Sequence, residues 1–137
     1  RDRFPIYARN LYVKGRMTSR PEAMACRKGS LERCSASWLI CDTGLPQALG
    51  EAARVFRYLR PGVLVPAVSP DMEWAYFLYF NENGAGFYLA MRNASFNDPE
   101  CAAIVRQELA NGINEVLSMD RNRALVEYIV SNAMFSS

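Results

Sequence analysis

Two aromatic-rich runs, Glu73–Phe80 (EWAYFLYF) and Gly86–Arg92 (GFYLAMR), flank Asn81-Glu82-Asn83-Gly84-Ala85. An Asn-Gly-containing connection between two runs of strand length predicts a β-hairpin, because Asn and Gly accept the left-handed backbone that a tight reversal needs. This hairpin constrains the whole chain, because it is apolar on both faces. Trp74, Tyr76, Leu78 and Phe80 point one way, and Ala75, Phe77 and Tyr79 the other. A strand with one face in water alternates apolar and polar residues. This one requires a cover on each side, from helices or from a second subunit, with the tyrosine hydroxyls left to reach solvent.

The rest of the chain supplies candidates for that cover. Thr43-Gly44-Leu45-Pro46 opens a helix, with Pro in the first turn where its missing N–H had no partner anyway. Leu45, Ala48, Leu49, Ala52, Phe56 and Leu59 share one face, and Pro61-Gly62 ends the segment. Asn97-Asp98-Pro99-Glu100 is a helix start: an Asx cap, an early Pro and an acid in the first turn. Cys101, Ile104, Val105, Leu109, Ile113, Val116 and Leu117 then form a stripe, with Gly112 as a bend or a point of close packing. Asp120 is expected to cap a last helix carrying Leu125, Tyr128, Ile129 and Ala133. Phe4–Val13, Ala36–Asp42 and Val63–Val68 are the remaining strand candidates, the last demoted to an edge or bend by Pro66. Residues 15–35, polar and basic, are expected to form an irregular loop.

The expectation is one α+β domain over 1–137: an antiparallel-rich sheet of about five strands with helices on both faces, in the order β-β-α-β-β-β-α-α. That order resembles longin-type and related profilin-like domains, and the resemblance implies an adaptor or trafficking module. It lies in element order only, and about twenty residues separate the first two strands where that pattern has a tight turn.

The four cysteines, Cys26, Cys34, Cys41 and Cys101, include no C-x-x-C pair, so their spacing does not announce a zinc or thioredoxin-like site. Cys26 and Cys34 share the polar loop with Gly29 between them, which makes a bridge between them attractive. Cys41 with Cys101 is the second candidate pair. Disulfides would favour a secreted or periplasmic setting over a reduced cytoplasm. The chain opens on Arg1 without a signal-like segment, and reads as a processed protein or as part of a longer one. No apolar run approaches the roughly 20 residues of a membrane span.

Histidine is absent, which removes Ser-His-Asp and Cys-His catalysis and every His-containing metal site. No glycine-rich phosphate loop is present. The paired acids Asp71/Glu73, Asp98/Glu100 and Glu108/Glu115 each have a plain role at a turn, a helix start or a solvated face. No metal or cofactor is expected. The net charge of +2 hides an asymmetry: residues 1–60 hold 12 Lys/Arg against 5 Asp/Glu, and residues 61–137 hold 4 against 9. The basic half either neutralises the acidic half within the fold or contacts a partner.

The first functional expectation is therefore a non-catalytic protein-interaction domain of adaptor, inhibitor or immunity type, with a homodimer among its forms. It rests on the missing catalytic apparatus and on Tyr, Trp and Arg, the residue types that dominate interface hot spots. The alternative is nucleic-acid or phosphate-ligand binding, and a small His-free enzyme is the third reading. Arg16, Arg20, Arg27, Lys28 and Arg33 are the candidate binding cations, with Tyr7 and Tyr12 as stacking partners.

Overall fold

Both faces of the hairpin are covered. In the computed structural model, which describes residues 25–135, the hairpin strands are two of five in one antiparallel sheet. The strands are β1 (Ala25–Leu31), β2 (Ala36–Thr43), β3 (Val65–Val68), β4 (Trp74–Phe80) and β5 (Gly86–Arg92), in the order β1-β2-β5-β4-β3. A short helix α1 (Leu45–Leu49) runs into a 3-10 segment, Gly50–Val55, and a long helix α2 (Pro99–Phe135) closes the chain. The α+β class, the single domain, the edge position of the Pro66 strand and the two-sided cover are as expected.

Strand alternation divides the core in two. Leu39, Cys41, Trp74, Tyr76, Leu78, Tyr88 and Ala90 lie under Leu45, Ala48, Leu49, Ala52 and Phe56. Ile40, Ala75, Tyr79, Phe87, Leu89 and Met91 lie under Val105 and Val116 of α2. Leu59 is the exception on the first face. Gly50, at φ 54°, ends the α-helical turns, and the chain is extended by Phe56, so Leu59 faces solvent.

Two expectations are corrected. Residues 25–31 are not loop but the edge strand β1, paired along β2 from Leu31↔Ala36 to Ala25↔Thr43. Its sequence, ACRKGSL, carries no apolar alternation; pairing with β2 makes it a strand. Asp120 does not start a new helix, because α2 runs on through it for 37 residues. Of the two roles open to Gly112, a bend or close packing, the second holds: a Cβ there would overlap the ring of Phe87. The expected strand at Phe4–Val13 lies outside the described residues.

The hairpin turn and α2 are tied together. Asn81 Oδ1 accepts N–H bonds from Asn83 and Ala85, which shapes the turn, and Gly84 supplies the left-handed residue at φ 91°. The same side chain donates through Nδ2 to Asp120 Oδ1 at 2.6 Å. The start of α2 is fixed by Asp98, whose Oδ1 accepts the Glu100 N–H at 2.9 Å.

Candidate interaction surface

Two disulfides are present, and their pairing corrects both expected pairs. The bonds are Cys26–Cys41 and Cys34–Cys101. Cys26 and Cys34 cannot meet, because β1 lies extended between them and rises roughly 3.3 Å per residue, whereas bridged Cα atoms lie within about 7 Å. Cys26 instead sits opposite Cys41 in the β1–β2 register, with Cα atoms 4.0 Å apart. Cys41 cannot reach Cys101, because it points to the α1 face of the sheet while α2 covers the other. Cys34, just after β1, meets the first turn of α2 and anchors it.

The basic candidates divide. Arg16, Arg20, Tyr7 and Tyr12 lie outside the described residues. Arg27 and Arg33 are engaged within the fold. Arg27 lies 5.6 Å from the centroid of the Trp38 ring and forms an ion pair with Glu115 of α2. Trp38 in turn lies across Gly29 of β1, where a Cβ would overlap the indole. Arg33 pairs with Asp98 at 3.4 Å and Glu100 at 2.9 Å, and places its NH1 3.1 Å from Cys101 Sγ. Lys28 is exposed on β1. The described part of the basic half is thus joined to the acidic start and middle of α2. The sequence missed this because the partners are 65 to 88 residues apart.

The Trp and Tyr side chains of the sheet belong mostly to the core. Trp74, Tyr76 and Tyr79 are buried, and Trp38 is half-buried. The acid pairs serve structure: Asp71 Oδ1 accepts from Ser69 Oγ and the Glu73 N–H, and Glu73 pairs with Arg92 at 3.4 Å. Asn93 of the Asn-Ala-Ser sequon donates its side-chain N–H to the Met72 carbonyl at 3.1 Å. All four cysteines are oxidised, and among the described residues no three of His, Cys, Asp and Glu come together as metal ligands.

One cleft, of about 470 Å³, opens between the hairpin tip and α2. Its wall carries Glu82, Asp120, Arg123 and Glu127 beside Asn81 and Gly62. It is shallow and mostly acidic, and it contains no nucleophile with an adjacent base.

The other surface is apolar. From residue 121 to 133 every side chain of α2 is exposed, and Leu125, Val126, Tyr128, Ile129 and Val130 are each between 51% and 65% exposed. At ~100° per residue, Leu125 stands about 180° around the helix from Val116, whose side chain fills the core. Ile129, Ala133 and Val126 follow on that outward side. The inward side of the same turns is polar, with Asp120, Arg123 and Glu127 over the hairpin tip. The apolar stripe has therefore rotated away from the sheet that the first half of the helix covers. Sequence reading places Leu125, Tyr128 and Ile129 on a buried face; the angular offset from Val116 was the available signal that they lie on another one.

Among the described residues no helix is long and apolar enough to cross a membrane. Comparison with protein-family models, with curated proteins and with solved structures gives no match, so the likeness to longin-type and profilin-like domains remains one of element order.

Proposed function

We propose that this chain is a non-catalytic protein-interaction domain whose contact surface is the outer half of α2. The observation that carries the reading is the outward stripe of Leu125, Val126, Tyr128 and Ile129, each more than half exposed. Four large apolar side chains, each more than half exposed and adjacent on one side of a helix, form a contiguous patch rather than scattered single residues. Contiguous apolar patches on soluble proteins are often functional. A helix offering apolar anchors at i, i+3 and i+4 is a recurrent recognition element.

The nucleic-acid reading is weaker on the described residues, because Arg27 and Arg33 already sit among carboxylates. The two disulfides suit an oxidising compartment, secreted or periplasmic.

The test is a photo-reactive phenylalanine analogue in place of Val126 in the full chain, irradiated in the native source. A stoichiometric adduct to a protein identified by its peptides, lost when Leu125→Glu and Ile129→Glu are added, supports the reading. Irradiation that yields no protein adduct refutes it.

A further inference from the structure

We infer that the loop 57–64 is a docking tip for an anionic lipid surface. Lipid phosphates take up Arg57 and Arg60, and the interfacial layer takes up Tyr58, Leu59, Val63 and Leu64. This surface is separate from the α2 stripe, and the inference does not rest on the reading above.

Three observations carry it. The first is composition set against exposure. All eight residues from 57 to 64, RYLRPGVL, are exposed, and they include no acid, no amide and no hydroxyl beyond the Tyr58 phenol. Tyr58 is 66% exposed, Leu59 52%, Val63 43% and Leu64 39%. Surface loops are ordinarily polar, and clustered apolar side chains left in water mark a contact.

The second is charge. Residues 52–70 hold three arginines and no Asp or Glu. Arg27, Arg33 and Arg92 pair with carboxylates elsewhere in the fold, and Arg54 pairs with Glu51 at 3.5 Å. Among the described residues Arg57 and Arg60 have no carboxylate within ion-pair distance; Arg57 lies 5.9 Å from the centroid of the Tyr58 ring. Two unneutralised cations interleaved with Tyr and Leu call for a partner that is anionic and apolar at once. A bilayer interface is both: phosphates lie at the level where Arg and Tyr settle, with acyl chains just beneath. A nucleic acid would satisfy the arginines and leave Leu59, Val63 and Leu64 in water.

The third is shape. The loop is held at both ends, by buried Phe56 and by Val65 at the start of β3, and the Gly62 N–H donates to the Phe80 carbonyl at 2.8 Å. Pro61-Gly62 turns the chain, with Gly62 at φ 84°, and a Cβ on Gly62 would meet nothing within 4 Å. Exposed apolar residues stand on both arms of this turn, Leu59 before it and Val63 and Leu64 after it. A protein groove covers one side of such a turn, whereas a fluid interface takes up both. On the cleft side, Pro61 and Gly62 face Glu82, Asp120 and Glu127, with Arg123 among them. These acids resist the approach of an anionic surface from that side, so the 57–60 arm leads.

The test is flotation of the full oxidised chain with vesicles of phosphatidylcholine, with and without phosphatidylglycerol. Binding to the phosphatidylglycerol vesicles that falls about fivefold for each of Arg57→Gln and Arg60→Gln, and falls again in the Tyr58→Ser, Leu59→Ser variant at unchanged charge, supports the docking tip. An unchanged urea midpoint shows that these variants fold. Insertion is read with Leu59→Trp, whose emission, after subtraction of the wild-type signal from Trp38 and Trp74, should shift to the blue on phosphatidylglycerol vesicles. No flotation of the wild type overturns the inference, as does equal flotation with both vesicle types. Flotation that the two arginine substitutions leave unchanged puts the lipid contact elsewhere on the chain and overturns it too. If vesicles are not bound and a photo-reactive phenylalanine analogue at Tyr58 marks a protein in the native source, the loop serves a protein partner instead.

Discussion

Gly112 is the most direct test of how α2 is held on the sheet. It lies on the buried side of the helix, over Phe87, which is 2% exposed and packs against Trp38 with ring centroids 6.3 Å apart. Gly112→Ala changes two opposing terms. In a helix interior Ala is favoured over Gly by about 1 kcal/mol. The added methyl, however, would overlap three ring carbons of Phe87. A planar ring on a central strand cannot turn aside as the end of a flexible chain can, so the helix must lift or the ring must shift. Overpacking of this kind costs about 1–3 kcal/mol. The difference is a net destabilisation of about 1 kcal/mol, within a range of roughly 0–2. At a urea m-value of about 2 kcal/mol/M, the midpoint should fall by about 0.5 M. The diagnostic step is a double-mutant cycle with Phe87→Leu, which removes part of the ring. In that background Gly112→Ala should become neutral or stabilising, because the propensity gain remains and the clash is relieved. The difference between the two effects is a coupling of about 1–2 kcal/mol. A full 1 kcal/mol of stabilisation by Gly112→Ala in the wild-type background would refute the packing argument. So would an equal effect in both backgrounds.

Non-reducing proteolysis should release peptides linked through Cys26–Cys41 and Cys34–Cys101, with no Cys26–Cys34 species. Removal of the Cys34–Cys101 bridge, whose cysteines are 67 residues apart in sequence, should cost about 4 kcal/mol on loop-closure grounds. Removal of Cys26–Cys41, 15 apart, should cost about 3 kcal/mol, and urea midpoints in the reverse order would contradict this. Asp98→Ala should lower stability by about 1 kcal/mol through loss of the α2 cap, read by the same titration. A double-mutant cycle on Arg27 and Glu115 should give a coupling below about 1 kcal/mol that shrinks in 1 M salt, since both side chains are substantially exposed. Binding of the full chain to a polyanion at low salt, measured with and without Arg27→Ala and Arg33→Ala, should change little on substitution. A fall in salt slope of about one for each arginine removed would reinstate the nucleic-acid reading.

What the sequence revealed follows from where the determining forces are local. The hairpin was legible because its signals, Asn81 to Ala85 and two β-rich runs, lie within twenty residues. Its need for two covers was legible because alternation alone decides which faces are apolar. The start of α2 was legible because Asp98 acts on an N–H two residues away. Strand β1 was not, because Arg27-Lys28-Gly29-Ser30 has no pattern of its own. It is held by the β2 ladder, by the Cys26–Cys41 bond and by the Trp38 indole lying over Gly29. The cysteine pairing failed for the same reason. Proximity in a polar segment suggested Cys26 with Cys34, whereas a strand carries two such residues apart and a sheet decides which face each one sees.

The end of α2 is the most informative failure. Asp120 has the chemistry of a cap, but its carboxylate is occupied by Asn81 Nδ2 from the hairpin tip, and the helix has no reason to stop there. Continuity then fixes the azimuth of every later residue. Had the chain broken at Asp120, a new helix could have turned Leu125 and Ile129 back onto the sheet. Because it does not break, nine residues beyond Val116 bring Leu125 to the opposite side, and the apolar stripe points outward. The Asn81–Asp120 contact, 39 residues apart in sequence, ties the inward side of these turns to the hairpin tip. Asn81→Ala removes that contact along with the Oδ1 acceptor of the turn, so the cleaner probe is Asp120→Ala, which leaves the turn intact. It should loosen amides 121–133 toward hydrogen exchange while leaving 101–116 protected.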